Sequence, residues 1–144
     1  LENPQPENLH YSSFTSDSKY VYSVALNNEL QIHRKVNWQR EPISLLLADG
    51  RYNYTRLHIG NTEGYVVWGK NEDNSVFIVD LAAKSENLSN WELICNCAID
   101  YLSKQINPSI ISVVSVAEDD YLHTTLLKND FRIVFTQYEM FRKL

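Results

Sequence analysis

Alternation of apolar and polar residues predicts two strands near the start of the chain, Lys19–Asn27 and Glu29–Val36. Asn27-Asn28 between them is typical of a tight turn, because asparagine tolerates positive φ. After them, Pro42 fits the first position of a helix and Gly50 fits the residue beyond its end. The first third of the chain therefore predicts a hairpin followed by a short helix.

The middle of the chain predicts further strands. Tyr54–Ile59 and Tyr65–Trp68 form a second hairpin, joined by the turn Gly60–Gly64. Ser75–Ala83 is almost continuously apolar, which is typical of a central strand covered on both faces. Asp80 interrupts this run, and a carboxylate in such a strand needs either a partner or a function.

A helix after this strand has the clearest local signature. Ser89 and Glu92 have the spacing of a capping box, in which the two residues satisfy each other's free backbone N–H groups. Asn107-Pro108 ends the segment. One apolar face at helical spacing is formed by Trp91, Ile94, Ala98, Tyr101 and Leu102.

The last third predicts a β-branched strand at Ile110–Ala117, a short helix capped by Asp119 or Asp120 and ending near Lys128, and a long final strand at Phe131–Phe141. The predicted order is β-β-α-β-β-β-α-β-α-β. Late helical crossovers after successive strands indicate a mixed sheet with helices on its faces. The fold class expected is α+β, with a mostly antiparallel central sheet flanked by helices.

Composition and charge narrow the range of functions that this chain could have. Apolar residues make up 44% of the 144 residues and charged residues 22%, as in ordinary globular domains. We expect residues 1–17 to be a tail or linker and residues 18–144 to form one domain. The net charge of −5 disfavours binding to nucleic acid or to an anionic membrane, and the apolar runs are too short to span a bilayer. The two cysteines, Cys95 and Cys97, lie two positions apart in a helical segment, so they point to nearly opposite sides of the helix and cannot easily bridge. Because the sequence also shows no secretory signal, we expect a cytoplasmic protein with reduced thiols.

Two segments resemble the GNAT acetyltransferases. Leu126–Phe131 resembles the Tyr-x-Lys-x-Gly-Phe segment that closes the last helix of that family, and Tyr138–Leu144 resembles its closing strand, Tyr-Glu-Met-x-Lys-x-Leu. The order of elements from Tyr54 onwards is also similar. The resemblance implies a GNAT-like fold, acetyl-CoA as the cofactor and transfer of an acetyl group to an amine.

The resemblance also implies where acetyl-CoA would bind: along the main chain of the central strand and at the helix start, where free N–H groups accept a pyrophosphate. The residues so assigned are Val79, Leu81, Ala83, Lys84, Ser85, Ser89 and Asp119. This sequence departs from the family at three points. The strand-to-helix loop has no glycine, and it carries Glu86. Leu126 stands where the family often has a tyrosine that acts as the general acid. Asp119 stands where the family often has an asparagine that contacts the cofactor.

These departures favour a GNAT-like domain that is non-catalytic or weakly catalytic, with a degenerate acetyl-CoA site. Its expected partner is a second GNAT-like domain or a second copy of the chain. Two alternatives stay open: an active N-acetyltransferase that acts on a small-molecule or protein amine, and a non-enzymatic interaction module with aromatic strands as its surface. No catalytic residue is assigned. The four histidines lack metal-ligand spacing, so no metal site is predicted.

Overall fold

The computed structural model describes residues 10–32, 34, 41–48, 50–113, 116, 120–129, 131–133 and 140–143. The strands are β1 (Ser12–Thr15), β2 (Asn53–Ile59), β3 (Thr62–Lys70), β4 (Val76–Ala83), β5 (Ile110–Val113), β6 (Arg132–Ile133) and β7 (Met140–Lys143). The helices are α1 (Ser18–Ile32), α2 (Pro42–Leu47), α3 (Leu88–Ile106) and α4 (Tyr121–Lys128). No helix among these residues is both long and apolar enough to cross a membrane.

The described strands form one sheet in the order β1-β2-β3-β4-β5-β7-β6. Neighbouring strands are antiparallel except β4 and β5, which are parallel and joined through α3. A parallel pair needs such a crossover, because the chain must return to the same end of the sheet. The predicted α+β class, with a mixed and mostly antiparallel sheet, is confirmed.

Helices cover both faces of the sheet. The Tyr20 hydroxyl of α1 donates to Glu63 of β3, whereas the ring of Tyr101 in α3 packs edge-on against Trp68 of β3. Glu63 and Trp68 lie an odd number of residues apart in one strand, so their side chains point to opposite faces. α2 packs on α1, and α4 packs on α3. The sheet therefore separates an α1–α2 layer from an α3–α4 layer.

The two strands predicted over Lys19–Asn27 and Glu29–Val36 are wrong, because the structure has the helix α1 there. Val21, Val24, Ala25 and Asn28 are buried, and these positions follow the helical spacing i, i+3, i+4, i+7. Tyr20, Tyr22 and Val24 also alternate with polar residues, so the same segment matches both periods. Burial against the sheet favoured the helix.

Both ends of the chain also differ from expectation. The region predicted as a tail or linker contains β1, whose four exposed residues show no apolar pattern and join the sheet by main-chain pairing with β2. The single strand predicted over Phe131–Phe141 is wrong: β6 and β7 pair antiparallel with one another, so the chain reverses between them. Alternation is the same before and after a reversal, and it therefore cannot reveal one.

Helix α3 supplies much of the core, and its predicted apolar face is confirmed: Trp91, Ile94, Ala98 and Leu102 are fully buried. Its predicted capping box is wrong. The cap is Asn87, whose side-chain oxygen accepts the N–H of Ser89 at 3.0 Å. Glu92 instead pairs with Lys128 of α4 at 3.1 Å. Of the two residues predicted to cap α4, Asp119 and Asp120, the structure has Asp120 as the cap, and the predicted end of α3 at Asn107 is confirmed.

Candidate functional site

The candidate site lies beyond the described parallel pairing of β4 and β5, at the carboxyl ends of the two strands, and we call this region the opening. Their parallel pairing covers Val76–Ile78 against Ile111–Val113, and β4 then continues to Ala83. A bulge in β4 follows this pairing, because Val67 and Trp68 of β3 face Asp80 and Ile78 and leave Val79 as the extra residue. Ligands of open α/β sheets bind at such openings beyond the carboxyl ends of parallel strands.

The main chain at the end of β4 faces this opening. The N–H of Lys84 donates to the Glu63 carbonyl of β3, so Lys84 directs its main-chain groups towards β3. Because these groups alternate along a strand, those of Ala83 and Leu81 point the other way, into the opening. Asn28 of α1 already donates its side-chain N–H to the Ala83 carbonyl at 3.0 Å. One of the groups assigned to the cofactor is thus bound by the protein itself.

The loop between β4 and α3 is held by its own side chains. Ser85 Oγ accepts the Asn87 N–H at 3.0 Å and the Asn90 side-chain N–H at 2.8 Å. The side-chain oxygen of Asn87 accepts the Ser89 N–H, and the Trp91 indole N–H donates to the Ser85 carbonyl. The N–H groups of Asn87 and Ser89, which a pyrophosphate would need, therefore already have acceptors.

Helix α4 closes the same loop from the other side. The Tyr121 hydroxyl donates to the Glu86 carbonyl at 3.1 Å, and the Tyr121 ring packs against Trp91 with centroids 5.4 Å apart. Asp119, which the resemblance assigned to the cofactor, lies outside the described residues. Its neighbour Asp120 is the helix cap and accepts the Leu122 N–H.

Arg34, which follows α1, occupies the opening itself. Its guanidinium makes two hydrogen bonds to Asp80 of β4, at 2.8 and 3.1 Å. Two more, at 2.9 and 3.2 Å, go to Asp120 at the start of α4. The guanidinium also lies 5.0 Å from the ring centre of Trp91 in α3. A side chain from the α1–α2 layer thus reaches through the opening to the α3–α4 layer.

The charges in this cluster are fixed by burial and by each other. Burial alone would lower the pKa of Arg34, but the carboxylates of Asp80 and Asp120 outweigh it and raise that pKa well above its ordinary value. The Tyr65 hydroxyl donates to Asp80. Burial, together with the negative charge of Asp80, raises the pKa of Tyr65 well above its ordinary value. Arg34 stays a cation and Tyr65 stays a hydrogen-bond donor at neutral pH.

Several groups near the positions that the resemblance assigned to acetyl-CoA already have partners within the protein. An acyl-CoA bound along β4 would meet the Arg34 guanidinium, which lies between Asp80 and Asp120. Its pyrophosphate would meet the Glu86 side chain's negative charge and a loop whose N–H groups at Asn87 and Ser89 are already bound. Among the residues that the structure describes, no cluster of His, Cys, Asp or Glu could hold a metal ion.

The sequence identified one member of this cluster and missed its partner. Asp80 stood out as a carboxylate in an apolar strand, and it is fully buried. No role for Arg34 is predicted from the sequence. The available signal was Asp80 itself, because a buried carboxylate requires a cation or several hydrogen-bond donors.

Comparison with known proteins supports the fold. No protein-family model and no curated protein matches the sequence. A GNAT-family acetyltransferase from Staphylococcus aureus Mu50 is similar in structure, with a TM-score of 0.62 and 10% identity over 94% of this chain and 99% of that one. Campylobacter jejuni N-acetyltransferase PseH in complex with acetyl coenzyme A gives a TM-score of 0.59 and 13% identity, over 92% of this chain and 99% of PseH.

Ard1 from Thermoplasma volcanium is similar to the same degree, with a TM-score of 0.59, 15% identity and coverage of 93% of this chain and 97% of Ard1. Identities this low carry information about architecture rather than chemistry. The parallel pairing of Phe77 with Ser112 also agrees with that architecture. The chain therefore has the fold of the GNAT acetyltransferases.

Proposed function

We propose that this chain is a non-catalytic GNAT-fold domain whose acyl-CoA opening is filled by its own side chains. The observation that carries the proposal is the Arg34 guanidinium, held between Asp80 and Asp120. A bound acyl-CoA would have to displace this guanidinium. The Asn28 contact to Ala83 and the Tyr121 contact to Glu86 support the same conclusion from the two layers beside it.

The energy needed to open the site is large. Separating a buried guanidinium from its carboxylates typically costs about 3–5 kcal/mol, because charges are left without partners. Every 1.4 kcal/mol is about a tenfold change in affinity, so even the lower figure would weaken cofactor binding by about 100-fold. A ligand must supply that difference before it gains any net affinity. The closed arrangement therefore disfavours catalysis at ordinary cofactor concentrations.

A non-catalytic domain of this kind would act together with a second domain. We propose that it acts in the cytoplasm as the accessory half of a tandem acetyltransferase or as one half of a homodimer. Its role there is to contact the partner domain and not to catalyse a reaction. Its net charge of −5 is consistent with a protein partner and not with nucleic acid or an anionic membrane.

Calorimetric titration of the purified chain with acetyl-CoA tests the proposal. We expect no saturable heat at micromolar or millimolar cofactor. The same titration of Arg34→Ala/Asp80→Asn, which removes the guanidinium together with one of its partner charges, measures how much the filled opening contributes. Saturable heat from the unaltered chain at micromolar acetyl-CoA would overturn the proposal.

One observation favours a second candidate, an active N-acetyltransferase. The structure of PseH with acetyl coenzyme A shares this fold over 99% of the PseH chain. In that case the main-chain groups of Leu81 and Ala83 would contact the cofactor, and Arg34 and Asn28 would first have to withdraw. The test is to incubate the chain with acetyl-CoA and a primary amine and to measure free CoA thiol. Thiol release that depends on the amine would support this candidate.

A further inference from the structure

An open cavity lies at the β1 edge of the sheet and shares no residue with the Arg34 cluster. It has a volume of 580 Å³ and lies between the start of α1 and the β1–β2 edge. That volume is within the range of small-molecule sites. Its lining residues are Ser12, Phe14, Thr15, Ser16, Asp17, Tyr20, Arg56 and His58.

One wall of this cavity is a connected network. Tyr20 donates its hydroxyl proton to Glu63 at 2.8 Å, and Arg56 pairs with the same carboxylate at 3.3 Å while lying 4.4 Å from the centre of the Tyr20 ring. Arg56 Nε also donates to His58 Nε2 at 3.2 Å, and the His58 ring meets Phe14 edge-on. Four separate elements supply these residues, so their positions are set before any ligand arrives.

This network replaces the apolar packing that the sheet otherwise uses. On the same face of β2 and β3, the cross-strand pair Tyr54–Val67 is buried. Further along the same strands, the cross-strand pair His58–Glu63 is polar and partly exposed. Apolar pairs in this position would be buried under α1, whereas the polar pairs stay partly exposed. Such local exceptions to apolar packing are expected at binding sites.

The cavity offers both donors and acceptors. The hydroxyls of Ser12, Thr15 and Ser16 have no hydrogen-bond partner in the described part of the chain, and all three residues line the cavity. Because His58 Nε2 accepts a hydrogen bond, the neutral imidazole carries its proton on Nδ1, which is then a donor. Asp17 uses one carboxylate oxygen for the Tyr20 N–H and leaves the other as an acceptor.

The charges around the cavity balance. Asp17 and Glu63 are negative, and the Tyr20 hydrogen bond holds the pKa of Glu63 below its ordinary value. Arg56 and the nearby Lys84 are positive, and both act on Glu63. A site with no net charge does not select ions of either sign. Phe14, in contrast, is 52% exposed and presents an apolar ring surface beside these polar groups.

We propose that this cavity binds a neutral polyhydroxylated ring, that is, a sugar. Each sugar hydroxyl both donates and accepts hydrogen bonds, which matches the mixed donors and acceptors of the wall. The C–H face of a sugar ring would lie on Phe14, while Asp17 and His58 would bind the hydroxyls. Such a ring occurs in free glycosides and in nucleosides, and the test separates these two sources.

The test is an NMR titration of the ¹⁵N-labelled full chain with a panel of methyl glycosides and, separately, with adenosine and uridine. We expect saturable shifts confined to residues 12–20 and 56–63, with Kd on the order of 1 mM, or about −4 kcal/mol. Shifts with the glycosides alone identify a glycan ring, and shifts with the nucleosides alone identify a ribose.

Phe14→Ser should weaken this binding about tenfold or more, equivalent to about 1.4 kcal/mol. Leu47→Ser is the matched control, because it removes another exposed apolar side chain, 75% exposed and on α2, and should leave the binding unchanged. Arg56→Lys keeps the positive charge but loses the Nε contact to His58, and it should also weaken binding. Absence of saturable shifts with every compound, or equal binding by Phe14→Ser and Leu47→Ser, would overturn the proposal.

Discussion

Arg34 and Asp80 form a bidentate ion pair across 46 positions of sequence, with both side chains buried. The guanidinium has planar geometry that matches a carboxylate, which a lysine ammonium cannot reproduce. The same guanidinium binds Asp120 and lies beside Trp91. One side chain thus connects the end of α1, the central strand and both helices of the opposite layer.

Replacing Arg34 should destabilise the protein strongly. We expect Arg34→Met to lower the free energy of unfolding by about 3–5 kcal/mol, because the carboxylates of Asp80 and Asp120 stay buried without their cation. Arg51→Met is the matched control, since Arg51 is exposed, and should change stability by less than about 0.5 kcal/mol. Urea unfolding measures both. Equal midpoints for the two variants would contradict the structural role of Arg34.

Cys97 should be unreactive in the folded protein. Burial, with a smaller effect from the charge of Asp100, raises the pKa of Cys97 from 9.0 to about 12. At pH 8 the thiolate fraction is then about a thousandfold smaller than in the unfolded chain. Labelling with Ellman's reagent should be slow in buffer and fast in denaturant; Cys97→Ser isolates the contribution of Cys95, which is also buried. Rapid labelling of both thiols in the native state would contradict this.

The same shift has a consequence for stability. Because the folded-state pKa of Cys97 lies above the unfolded value, its contribution is fully present below pH 9 and is lost as pH rises towards 12. Tyr11 and Tyr20, whose pKa values are raised mainly by burial, act in the same direction at still higher pH. The free energy of unfolding should therefore fall above pH 9, and less steeply in Cys97→Ser.

The cap of α3 can be tested with two substitutions two positions apart. Asn87→Ala should cost about 1 kcal/mol, because it removes the acceptor of the Ser89 N–H. Ser89→Ala should cost less than about 0.5 kcal/mol, since Ser89 lies inside the helix and does not cap it. Thermal unfolding of both variants gives the comparison. The reverse ranking would restore the capping box that the sequence predicted.

Gly64 should tolerate no side chain. A Cβ there would lie 2.3 Å from the Ala82 carbonyl oxygen and 3.0 Å from an Ile94 side-chain carbon of α3. Gly64→Ala should therefore cost about 1–3 kcal/mol through overpacking. At Gly69 the atoms met belong to the partly exposed ring of Phe77, which can move, so Gly69→Ala should cost less. Chemical denaturation that ranks them in the opposite order would contradict this.

The middle of the fold, from β2 to α4, could be predicted because its signals are local. The hairpin β2–β3, the strand β4 and the helices α3 and α4 each have a clear periodicity and their own start and stop residues. Helix α1 could not be assigned, because its tyrosines and valines match both the helical and the strand period. Only the packing of Val21 and Val24 against the sheet distinguishes the two.

The site was harder to predict than the fold. Asp80 was visible as a carboxylate in an apolar strand, but Arg34 and Asp120 are 86 positions apart and no local pattern relates them. The assigned residues Lys84 and Ser85 lie in the loop that the resemblance indicated, and Ser89 lies in the first turn of α3. Nothing in the sequence signalled that Lys84 binds Glu63, or that Ser85 and Ser89 both bind Asn87. Such partners are set by tertiary structure, and the hydrophobic periodicity of a sequence carries no information about it.

The position of β7 in the sheet determines what happens when Met140–Lys143 are removed. β7 lies between β5 and β6 and pairs with both. A chain shortened before Met140 would leave β5 as an open edge and β6 with no neighbour in the described sheet. Open edges recruit strands from other molecules, so such a truncation should self-associate rather than simply become less stable.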